Sequence, residues 1–550
     1  MELFNHHKSK IEQAIKALEQ RNYFTIYPES PKLYQEDADQ NARNYISKTM
    51  NNNFDELLQK KSDVYIGEEV SPFLQMGIGV KYPAYHVETL ITNAQFANKS
   101  WNKLSVEVRI GLLIEALERI KSRFFDITYA TMHTTGQSYM MSFQASGPHS
   151  NDRALEAVIE GYIQLTKYVN EVDWIKPLGK YELKIHKNFK AISKGIGLVI
   201  GCSTFPIWNT VPGLFANLIT GNATIVKPHA KAVLPIAIVV AEIQKVLSEY
   251  NIDINTVQLA VDTIDKPITK ELAEHESVKL IDYTGGSEFG SYIESLKNKT
   301  TFTEKAGVNS VIIDSVVDLK SVMQNIALSI SLYSGQMCTA PQNIFISKHG
   351  VKTNDGIVPY EDAVKLLTDS ITGLVDNPKT GAATLGAIQS DITMKRVVSI
   401  KNIGGKIALE SKHINNEEFV DARIATPIVI EVDRSQVEIF GNECFGPIAF
   451  VIKTDNVGDS ISLAKKLILD KGAITCGAYS TDTDVMSKIE EEMNEVFTPV
   501  SFNFTGAALI NSHAAFSDLH VTGGNAAGNA GFVNAEYIVK RFVWVGNRFA

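Results

Sequence analysis

The chain has 550 residues, of which 44% are hydrophobic and 21% are charged, and its formal net charge at pH 7 is −9. This length and composition predict several globular domains, each able to bury its own core. The acidic balance argues against nucleic-acid binding, and no apolar run approaches the ~18 residues that a membrane span needs.

Four cysteines are scattered along the chain without a CxxC pair, so neither a zinc site nor a disulfide framework is indicated. The amino terminus lacks the charged-then-apolar pattern of a signal peptide. We therefore expect a soluble, cytoplasmic protein without a bound metal.

Helical patterns dominate the amino-terminal part of the chain. Apolar residues recur at helical spacing in residues 1–22 and again in residues 103–131, and a further helix is predicted over about 151–168. Residues 23–90 are rich in Asn, Pro and Tyr and give no clear prediction. His133 has no histidine or carboxylate partner at helical spacing, so we interpret it as a structural histidine rather than a ligand.

Two segments alternate apolar and polar residues, as exposed strands do. Residues 181–195 predict a hairpin, and residues 537–545 predict a strand near the carboxyl terminus. A long exposed strand is prone to aggregate unless another strand pairs with it. We therefore expect at least a dimer.

From Ile196 onward, short apolar strands alternate with helices. The strands are predicted at 196–201, 223–227, 257–260 and 278–283, and the helices at about 210–220, 233–249, 267–275 and 287–296. This alternation predicts a parallel sheet with helices on both faces. The almost wholly apolar segment 223–227 suits a strand that is buried on both sides.

Cys338 follows a carboxylate, a strand and a helix in quick succession. Glu304 lies 34 positions earlier, residues 310–313 predict a strand, and residues 316–331 predict a helix with Asp318 in its first turn. A lone cysteine is most often a small buried apolar residue. A nucleophilic cysteine must ionise, so it needs a partly polar and reachable setting, which the sequence Ser-Gly-Gln-Met-Cys-Thr offers.

The pattern Gly335-Gln336-x-Cys338 with Glu304 upstream is similar to that of the aldehyde dehydrogenase superfamily. The segments 283–290 and 443–447 resemble two further motifs of the same family, in the family's order. The resemblance implies that Cys338 is the nucleophile and Glu304 the base of hydrolysis. It also implies an α/β fold, with a parallel-sheet cofactor domain, an α/β catalytic domain and a small β oligomerisation element.

On this resemblance the chain divides into five parts. They are the amino-terminal part of the cofactor-binding domain with a helical extension (1–180), an oligomerisation hairpin (181–195), the cofactor-binding domain (196–303), the catalytic domain (304–535) and an oligomerisation strand (536–550). In the family the hairpin helps to build the oligomer, and the terminal strand pairs with a neighbouring subunit. A homodimer or a dimer of dimers is therefore implied.

A nicotinamide cofactor also follows from the resemblance, although the glycines between 195 and 201 lack the G-x-G-x-x-G spacing. Lys227 matches the family lysine that contacts the adenosine ribose, and His229 and Lys231 follow with no acid among them. A cationic pocket suits the 2′-phosphate of NADP, which a carboxylate would repel, so NADP is preferred over NAD. The alternative is that His229 and Lys231 only begin a solvated helical turn.

Two further groups complete the predicted cofactor site. Gly285, Gly286 and Ser287 precede a helix whose first amides can hold the pyrophosphate. The resemblance gives Glu443 the nicotinamide-ribose hydroxyls and gives Phe445 a face against the cofactor. Without the resemblance, a turn of this kind is more often only a helix cap. Glu443 would then be a surface acid and Phe445 a core aromatic residue.

Two stretches concern the aldehyde itself. Counting back from Gly221, Thr204 occupies the position of the family asparagine that helps to bind the oxyanion, and Asn209 lies five residues too late for that role. A hydroxyl can donate one hydrogen bond, so Thr204 and the Cys338 amide are the predicted oxyanion donors. The glycine-rich loop 522–531 is interpreted as closing the aldehyde entrance, with a phosphate cradle as the alternative.

Within the superfamily the chain resembles the PaaN branch, which belongs to phenylacetate degradation. The likeness rests on residues 201–209, residues 220–229 and the sequence Ser-Gly-Gln-Met-Cys-Thr-Ala-Pro-Gln. It implies oxidation of an aldehyde to an acid, with a CoA-linked semialdehyde from aromatic ring cleavage as the substrate. Two alternatives stay open: a CoA-acylating enzyme, and a weakly active scaffold partner of a ring-opening hydratase.

Overall fold

The computed structural model describes residues 1–60 and 62–550. Helices and strands are interleaved along the chain. The helices are α1 (Glu2–Gln20), α2 (Ala38–Thr49), α3 (Val87–Trp101), α4 (Val106–Ser122), α5 (Phe124–Thr135), α6 (Tyr139–Ser146), α7 (Pro148–Thr166), α8 (Pro206–Ile219), α9 (Leu234–Glu249), α10 (Thr269–Glu274), α11 (Ser287–Ser295), α12 (Leu319–Ser331), α13 (Tyr360–Val375), α14 (Gly381–Leu385), α15 (Asp391–Ser399), α16 (Val437–Phe440), α17 (Val457–Lys471), α18 (Thr483–Asn494) and α19 (Ala535–Val539).

The strands fall into two large sheets and three small ones. They are β1 (Tyr65–Ile66), β2 (Tyr82–Pro83), β3 (Glu171–Leu178), β4 (Tyr181–Ser193), β5 (Ile196–Ile200), β6 (Ala223–Lys227), β7 (Val257–Leu259), β8 (Val278–Thr284), β9 (Thr300–Glu304), β10 (Ser310–Ile313), β11 (Asn343–Ser347), β12 (Val351–Thr353), β13 (Gly356–Val358), β14 (Lys406–Leu409), β15 (Ile428–Asp433), β16 (Ile448–Thr454), β17 (Cys476–Tyr479), β18 (Val500–Phe502) and β19 (Phe542–Phe549).

The first large sheet is wholly parallel, with the strand order β7-β6-β5-β8-β9. Every residue of β5 and β6 is buried, as expected for strands covered on both faces. The parallel sheet predicted from Ile196 onward is confirmed. The sequence pattern does not predict its fifth strand, because Thr-Thr-Phe-Thr-Glu is mostly polar and becomes buried only through contacts with distant segments.

The second large sheet has the order β14-β15-β16-β11-β10-β17-β18, and all its pairs are parallel except β14 with β15. Its strand β10 leads into α12, whose N-cap is Asp318. The Asp318 carboxylate accepts hydrogen bonds from the amides of Lys320 and Ser321, at 3.0 and 3.2 Å. The predicted strand and helix before Cys338 are therefore both present, and the α/β fold class is confirmed.

A three-stranded antiparallel sheet, in the order β19-β4-β3, differs from the sequence prediction in two ways. The hairpin is formed by β3 and β4 together, because residues 181–193 are one continuous strand. The terminal strand begins only at Phe542, and it pairs with β4 of the same chain. Within the described residues β19 is an edge strand of this sheet, so its other edge is open, and its pairing with a neighbouring subunit stays a prediction.

Of the amino-terminal helices, α3 packs directly on the parallel sheet, and α4 packs on the helices α8 and α9. The helical pattern over residues 103–131 is interrupted at Arg123, so it forms α4 and α5 rather than one helix. Residues 23–90, which gave no prediction, contain α2, β1 and β2. No helix within residues 1–60 and 62–550 combines the length and apolarity needed to cross a membrane.

A buried ion pair joins the carboxyl-terminal segment to the parallel sheet. The Arg541 guanidinium lies 2.6 Å from the Asp282 carboxylate of β8, and the two side chains are 0% and 6% exposed. The same guanidinium donates to the side-chain oxygen of Asn217 at 2.6 Å, and the Tyr537 hydroxyl donates to Asp282 at 2.8 Å. This network ties β19 to the domain that holds Glu304.

Candidate active site

The loop that presents Cys338 has an unusual backbone. Tyr333, Ser334 and Gly335 all have positive φ angles, of 50°, 49° and 62°, although only glycine adopts this region without cost. The Gln336 side chain is fully buried and makes hydrogen bonds to three backbone groups around the loop. These contacts hold the loop so that the partly buried Cys338 faces the end of β9.

Glu304 is the last residue of β9, and its side chain is 1% exposed. One carboxylate oxygen accepts a hydrogen bond from the Asn209 amide at 2.6 Å, and the other lies 3.0 Å from Nε2 of His520. The thiol of Cys338, this imidazole nitrogen and the carboxylate lie within 4.8 Å of one another. The structure thus brings together the predicted nucleophile and the predicted base.

Two histidines that the sequence analysis did not single out belong to this cluster. His520 Nε2 lies 3.6 Å from the Cys338 sulfur, and His520 Nδ1 lies 2.9 Å from Nδ1 of His513. Both histidines lie in the irregular segment between β18 and α19, so no helical or strand spacing marks them. Their partners are far away in the sequence, and only the fold reveals the contact.

Burial and neighbouring charges set the protonation of this cluster. Burial raises the pKa of the Cys338 thiol well above its ordinary value, and the negative charge of Glu304 raises it further. Burial also acts to raise the pKa of Glu304. The charge of His520 and hydrogen bonds from His520, Cys338 and Asn209 outweigh it, so the pKa of Glu304 falls below its ordinary value. The carboxylate is therefore ionised, and the thiol needs a proton acceptor.

Asn209, rather than Thr204, extends a side chain into the cluster. Besides its bond to Glu304, Asn209 accepts a hydrogen bond from the thiol of Cys202 at 3.5 Å, and it lines the same cavity as Cys338. Thr204 lies in the loop between β5 and α8, where its carbonyl accepts from the side chain of Gln137 at 2.7 Å. Helix α8 begins at Pro206, and it places position 209 over the carboxylate despite the sequence offset.

A cavity of about 710 Å³ ends at Cys338 and has a largely apolar wall. Tyr23 and Phe24 contribute from the amino-terminal segment, Met140 from α6, and Trp208 from α8. The glycine-rich loop 522–531 is not among the lining residues, in contrast to the predicted role at the aldehyde entrance. That loop packs against β9, where a Cβ on Gly528 would come within 2.4 Å of the Thr303 carbonyl oxygen.

The predicted adenosine-side residues lie at the carboxyl end of β6. Lys227 is buried and forms an ion pair with Asp262 at 2.7 Å, so its charge is balanced within the protein. Burial lowers the pKa of His229 to about 4, with the charges of Lys227 and Lys231 acting in the same direction. The expected cationic pocket is therefore weaker than the sequence suggests, because Asp262 is brought in from the loop after β7.

The other predicted cofactor residues lie near the catalytic cluster. Gly286 is the N-cap of α11, an added Cβ there would meet nothing within 4 Å, and the Gly285 amide donates to the backbone carbonyl of Glu304 at 3.1 Å. Burial raises the pKa of Glu443 to about 7, and within the described residues its carboxylate has no hydrogen-bond partner.

An open glycine turn and an unpaired carboxylate beside the thiol fit a dinucleotide whose phosphates and ribose hydroxyls need such partners. Ser287 begins α11, next to the Gly286 cap. Phe445 lies in the loop before β16, and its carbonyl accepts a hydrogen bond from Arg396 at 2.5 Å.

Comparison with known proteins agrees with this site. Residues 76–543 match the family model of the aldehyde dehydrogenase family. The crystal structure of an NAD-dependent aldehyde dehydrogenase from Burkholderia multivorans is 39% identical, with a TM-score of 0.97 over 100% of this chain and 99% of that one. The chain belongs to the aldehyde dehydrogenase family.

More distant relatives share the fold. A 1-pyrroline-5-carboxylate dehydrogenase from Thermus, solved with bound NAD, is 18% identical with a TM-score of 0.74, over 96% of this chain and 99% of that one. A lactaldehyde dehydrogenase from Methanococcus maripaludis (strain C7) is 23% identical over 327 residues, or 58% of this chain. The chain spans 64% of that relative's length, which is less than two thirds.

Proposed function

We propose that the protein oxidises an aldehyde to a carboxylic acid with a nicotinamide cofactor. The observation that carries this proposal is the cluster of the Cys338 thiol and the buried Glu304 carboxylate at the end of the cavity. The Cys338 sulfur adds to the carbonyl carbon, and the resulting thiohemiacetal becomes a thioester once its hydride is lost. The cofactor, when bound, supplies the hydride acceptor.

Glu304 carries the second half of the proposed reaction. Its depressed pKa keeps the carboxylate ionised and able to take a proton from water. The hydroxide so formed attacks the thioester carbon, the carbon–sulfur bond breaks, and the acid leaves while the Cys338 thiolate re-forms. A base in this position favours hydrolysis over transfer of the acyl group to CoA.

The nature of the cavity supports a partly apolar substrate. Its volume of about 710 Å³ lies in the range of small-molecule sites, roughly 300–1,000 Å³. The resemblance to the PaaN branch favours a CoA-linked semialdehyde. Because no Lys or Arg among residues 1–60 and 62–550 lines the cavity, the phosphates of a CoA group would have to lie outside it, with only the semialdehyde portion inside.

The proposal also includes a preference for NADP over NAD. Lys231 supports it, because no salt bridge to Lys231 occurs within residues 1–60 and 62–550 and it lies beside His229. The Lys227–Asp262 pair weakens it, because the carboxylate offsets one of the two lysine charges. Saturation curves with each cofactor decide the matter, and a lower KM for NAD would overturn the NADP preference.

A homo-oligomer, a homodimer or a dimer of dimers, also belongs to the proposal. The three-stranded sheet exposes large apolar side chains, including Ile175, Leu178 and Phe549, which are 50–55% exposed. A row of exposed apolar residues on paired strands suits a subunit interface.

The decisive experiment follows cofactor reduction with a panel of free and CoA-linked aldehydes in the wild type, Cys338→Ala and Glu304→Gln. We expect no reduction in Cys338→Ala, and in Glu304→Gln one equivalent of reduced cofactor followed by a stall, because the thioester forms but is not hydrolysed. A product that forms only when free CoA is added would favour the CoA-acylating alternative. A wild type that is inactive on every aldehyde would favour the scaffold alternative.

A further inference from the structure

His520 lies between the two groups that the proposed reaction needs. One ring nitrogen, Nε2, is 3.6 Å from the Cys338 sulfur and 3.0 Å from the Glu304 carboxylate. The imidazole therefore contacts the reacting sulfur and the hydrolytic base through the same atom. We propose that His520 is the catalytic residue that takes the proton of the Cys338 thiol. This inference rests on the proposed role of Cys338 as nucleophile.

The protein holds the His520 ring in place from several sides. Its backbone forms both hydrogen bonds of a bridge to Phe532, at 2.7 and 2.9 Å. The ring packs edge-on against Trp208, with the ring centres 4.6 Å apart, and the side chain is 3% exposed. A ring fixed in this way has little freedom to turn Nε2 away from the sulfur.

His513 contacts the second ring nitrogen of His520, Nδ1. The two Nδ1 atoms are 2.9 Å apart, so one proton must lie between them. Burial lowers the pKa of His513 well below its ordinary value, and the charges of His520 and Arg153 act in the same direction, so His513 stays neutral. When His520 Nδ1 donates to His513, the thiol proton binds at Nε2, where it also forms the hydrogen bond to the Glu304 carboxylate, and the ring becomes an imidazolium.

The ionisable groups nearest to His520 are a carboxylate, a thiol and an arginine–glutamate pair. Glu304 from β9 carries a negative charge in contact with Nε2, and the Cys338 sulfur lies near the same nitrogen. Arg153 from α7 carries a positive charge, and it donates to the backbone carbonyl of His513 at 3.0 Å. The carboxylate of Glu156 is paired with this guanidinium at 2.8 Å. The positive charge of Arg153 is thus balanced by Glu156. A positive charge on the His520 ring would lie next to the Glu304 carboxylate.

The proposed step is a proton transfer with no change of oxidation state. The sulfur–hydrogen bond breaks, a nitrogen–hydrogen bond forms at His520 Nε2, and the electron pair stays on sulfur as the thiolate. The imidazolium then lies between the thiolate and the Glu304 carboxylate, and it stabilises both. Burial and the charge of Glu304 both raise the pKa of the Cys338 thiol. The imidazolium acts in the opposite direction, because its positive charge stabilises the thiolate.

The test measures the thiol directly and needs no aldehyde. The rate of Cys338 alkylation by iodoacetamide is followed from pH 5 to 9 in the folded wild type and in His520→Gln, with the labelled peptide quantified by mass spectrometry to separate it from the other cysteines. We expect a wild-type profile with its inflection below the ordinary thiol pKa of about 8.5. At pH 7 the His520→Gln variant should react roughly tenfold or more slowly, with its profile moved to higher pH.

His7→Gln is the matched control, because His7 is also buried and its Nε2 lies 3.2 Å from the carboxylate of Glu115, between helices α1 and α4. Its alkylation profile should coincide with that of the wild type. Added imidazole should restore fast alkylation to His520→Gly, a rescue that a purely structural role does not predict.

Three results would overturn the inference: a wild-type inflection at or above the ordinary thiol pKa, coincident profiles for the wild type and His520→Gln, or slow alkylation in Glu304→Gln but not in His520→Gln. The wild-type profile alone keeps the test decisive if a variant does not fold. The proposed function fails separately, if aldehydes are not oxidised while the alkylation profile still depends on His520.

Discussion

Asn209 lies beside Glu304, although the sequence analysis predicted no side chain at that place. Its amide donates to the carboxylate at 2.6 Å, and its oxygen accepts from Cys202 at 3.5 Å. An amide has two N–H groups, so the second remains available to an oxygen of the bound aldehyde. Thr204, by contrast, is not among the residues that line the cavity.

We therefore expect Asn209→Ala to lower kcat by about 100-fold, since removing one preorganised donor typically has an effect of about 10²–10³. Thr204→Val should lower kcat only a few-fold. Steady-state kinetics of both variants, with melting temperatures to exclude misfolding, check the expectation. Equal losses would restore Thr204 to the oxyanion role that its sequence position predicts.

At the scale of elements, the carboxyl-terminal strand depends on one buried charge pair. β19 pairs with β4, and the turn before it is held by Arg541 on Asp282 of β8. The guanidinium also lies over the rings of Phe302 and Tyr537, at 3.8 and 4.2 Å. The sequence pattern places a strand at 537–545, but α19 ends only at Val539 and the strand starts at Phe542.

Removal of Arg541 should destabilise the protein strongly. Arg541→Met leaves the Asp282 carboxylate buried without its partner, for which a loss of about 3–5 kcal/mol in the free energy of unfolding is typical. Lys540→Met is the control, because Lys540 is 45% exposed and, in the part of the chain that the structure describes, forms a salt bridge only with the surface residue Glu536; we expect about 0.5 kcal/mol or less. Denaturant titration measures both, and similar losses would show that the buried pair contributes no more than a surface pair.

At the scale of the whole molecule, buried carboxyl groups set how stability depends on pH. Burial raises the pKa of Asp152 to about 8, and one of its oxygens has no hydrogen-bond partner within the described residues. From about pH 4 to about pH 8 the unfolded chain has lost this proton while the folded protein still holds it. Stability from this group therefore falls as the pH rises through that range.

Asp152→Asn should remove this dependence. Relative to the wild type, its melting temperature should increase steadily between pH 5 and about pH 8 and then level off, as measured by calorimetry. Asp265→Asn, at an exposed position, should follow the wild type at every pH. A constant difference between Asp152→Asn and the wild type would mean that the Asp152 carboxyl is ionised in the folded protein at neutral pH.

The sequence by itself determined the parallel sheet, the strand and helix before Cys338, and the pairing of Cys338 with Glu304 as candidate catalytic residues. These depend on local hydrophobic periodicity and on ordered motifs, both of which can be read along the chain. The first of the two large sheets shows the limit: β9 is polar, and its burial comes from a segment more than 200 residues later.

Only the tertiary structure decided the surroundings of the thiol. His513 and His520 come from one irregular segment, Asn209 from α8 and the Asp262 partner of Lys227 from the loop after β7, and no helical or strand spacing links them. Protonation follows burial and the charges in contact, and these are properties of the folded arrangement. The residue types in the sequence indicate the kind of reaction. The packing of distant segments determines which of these side chains are protonated.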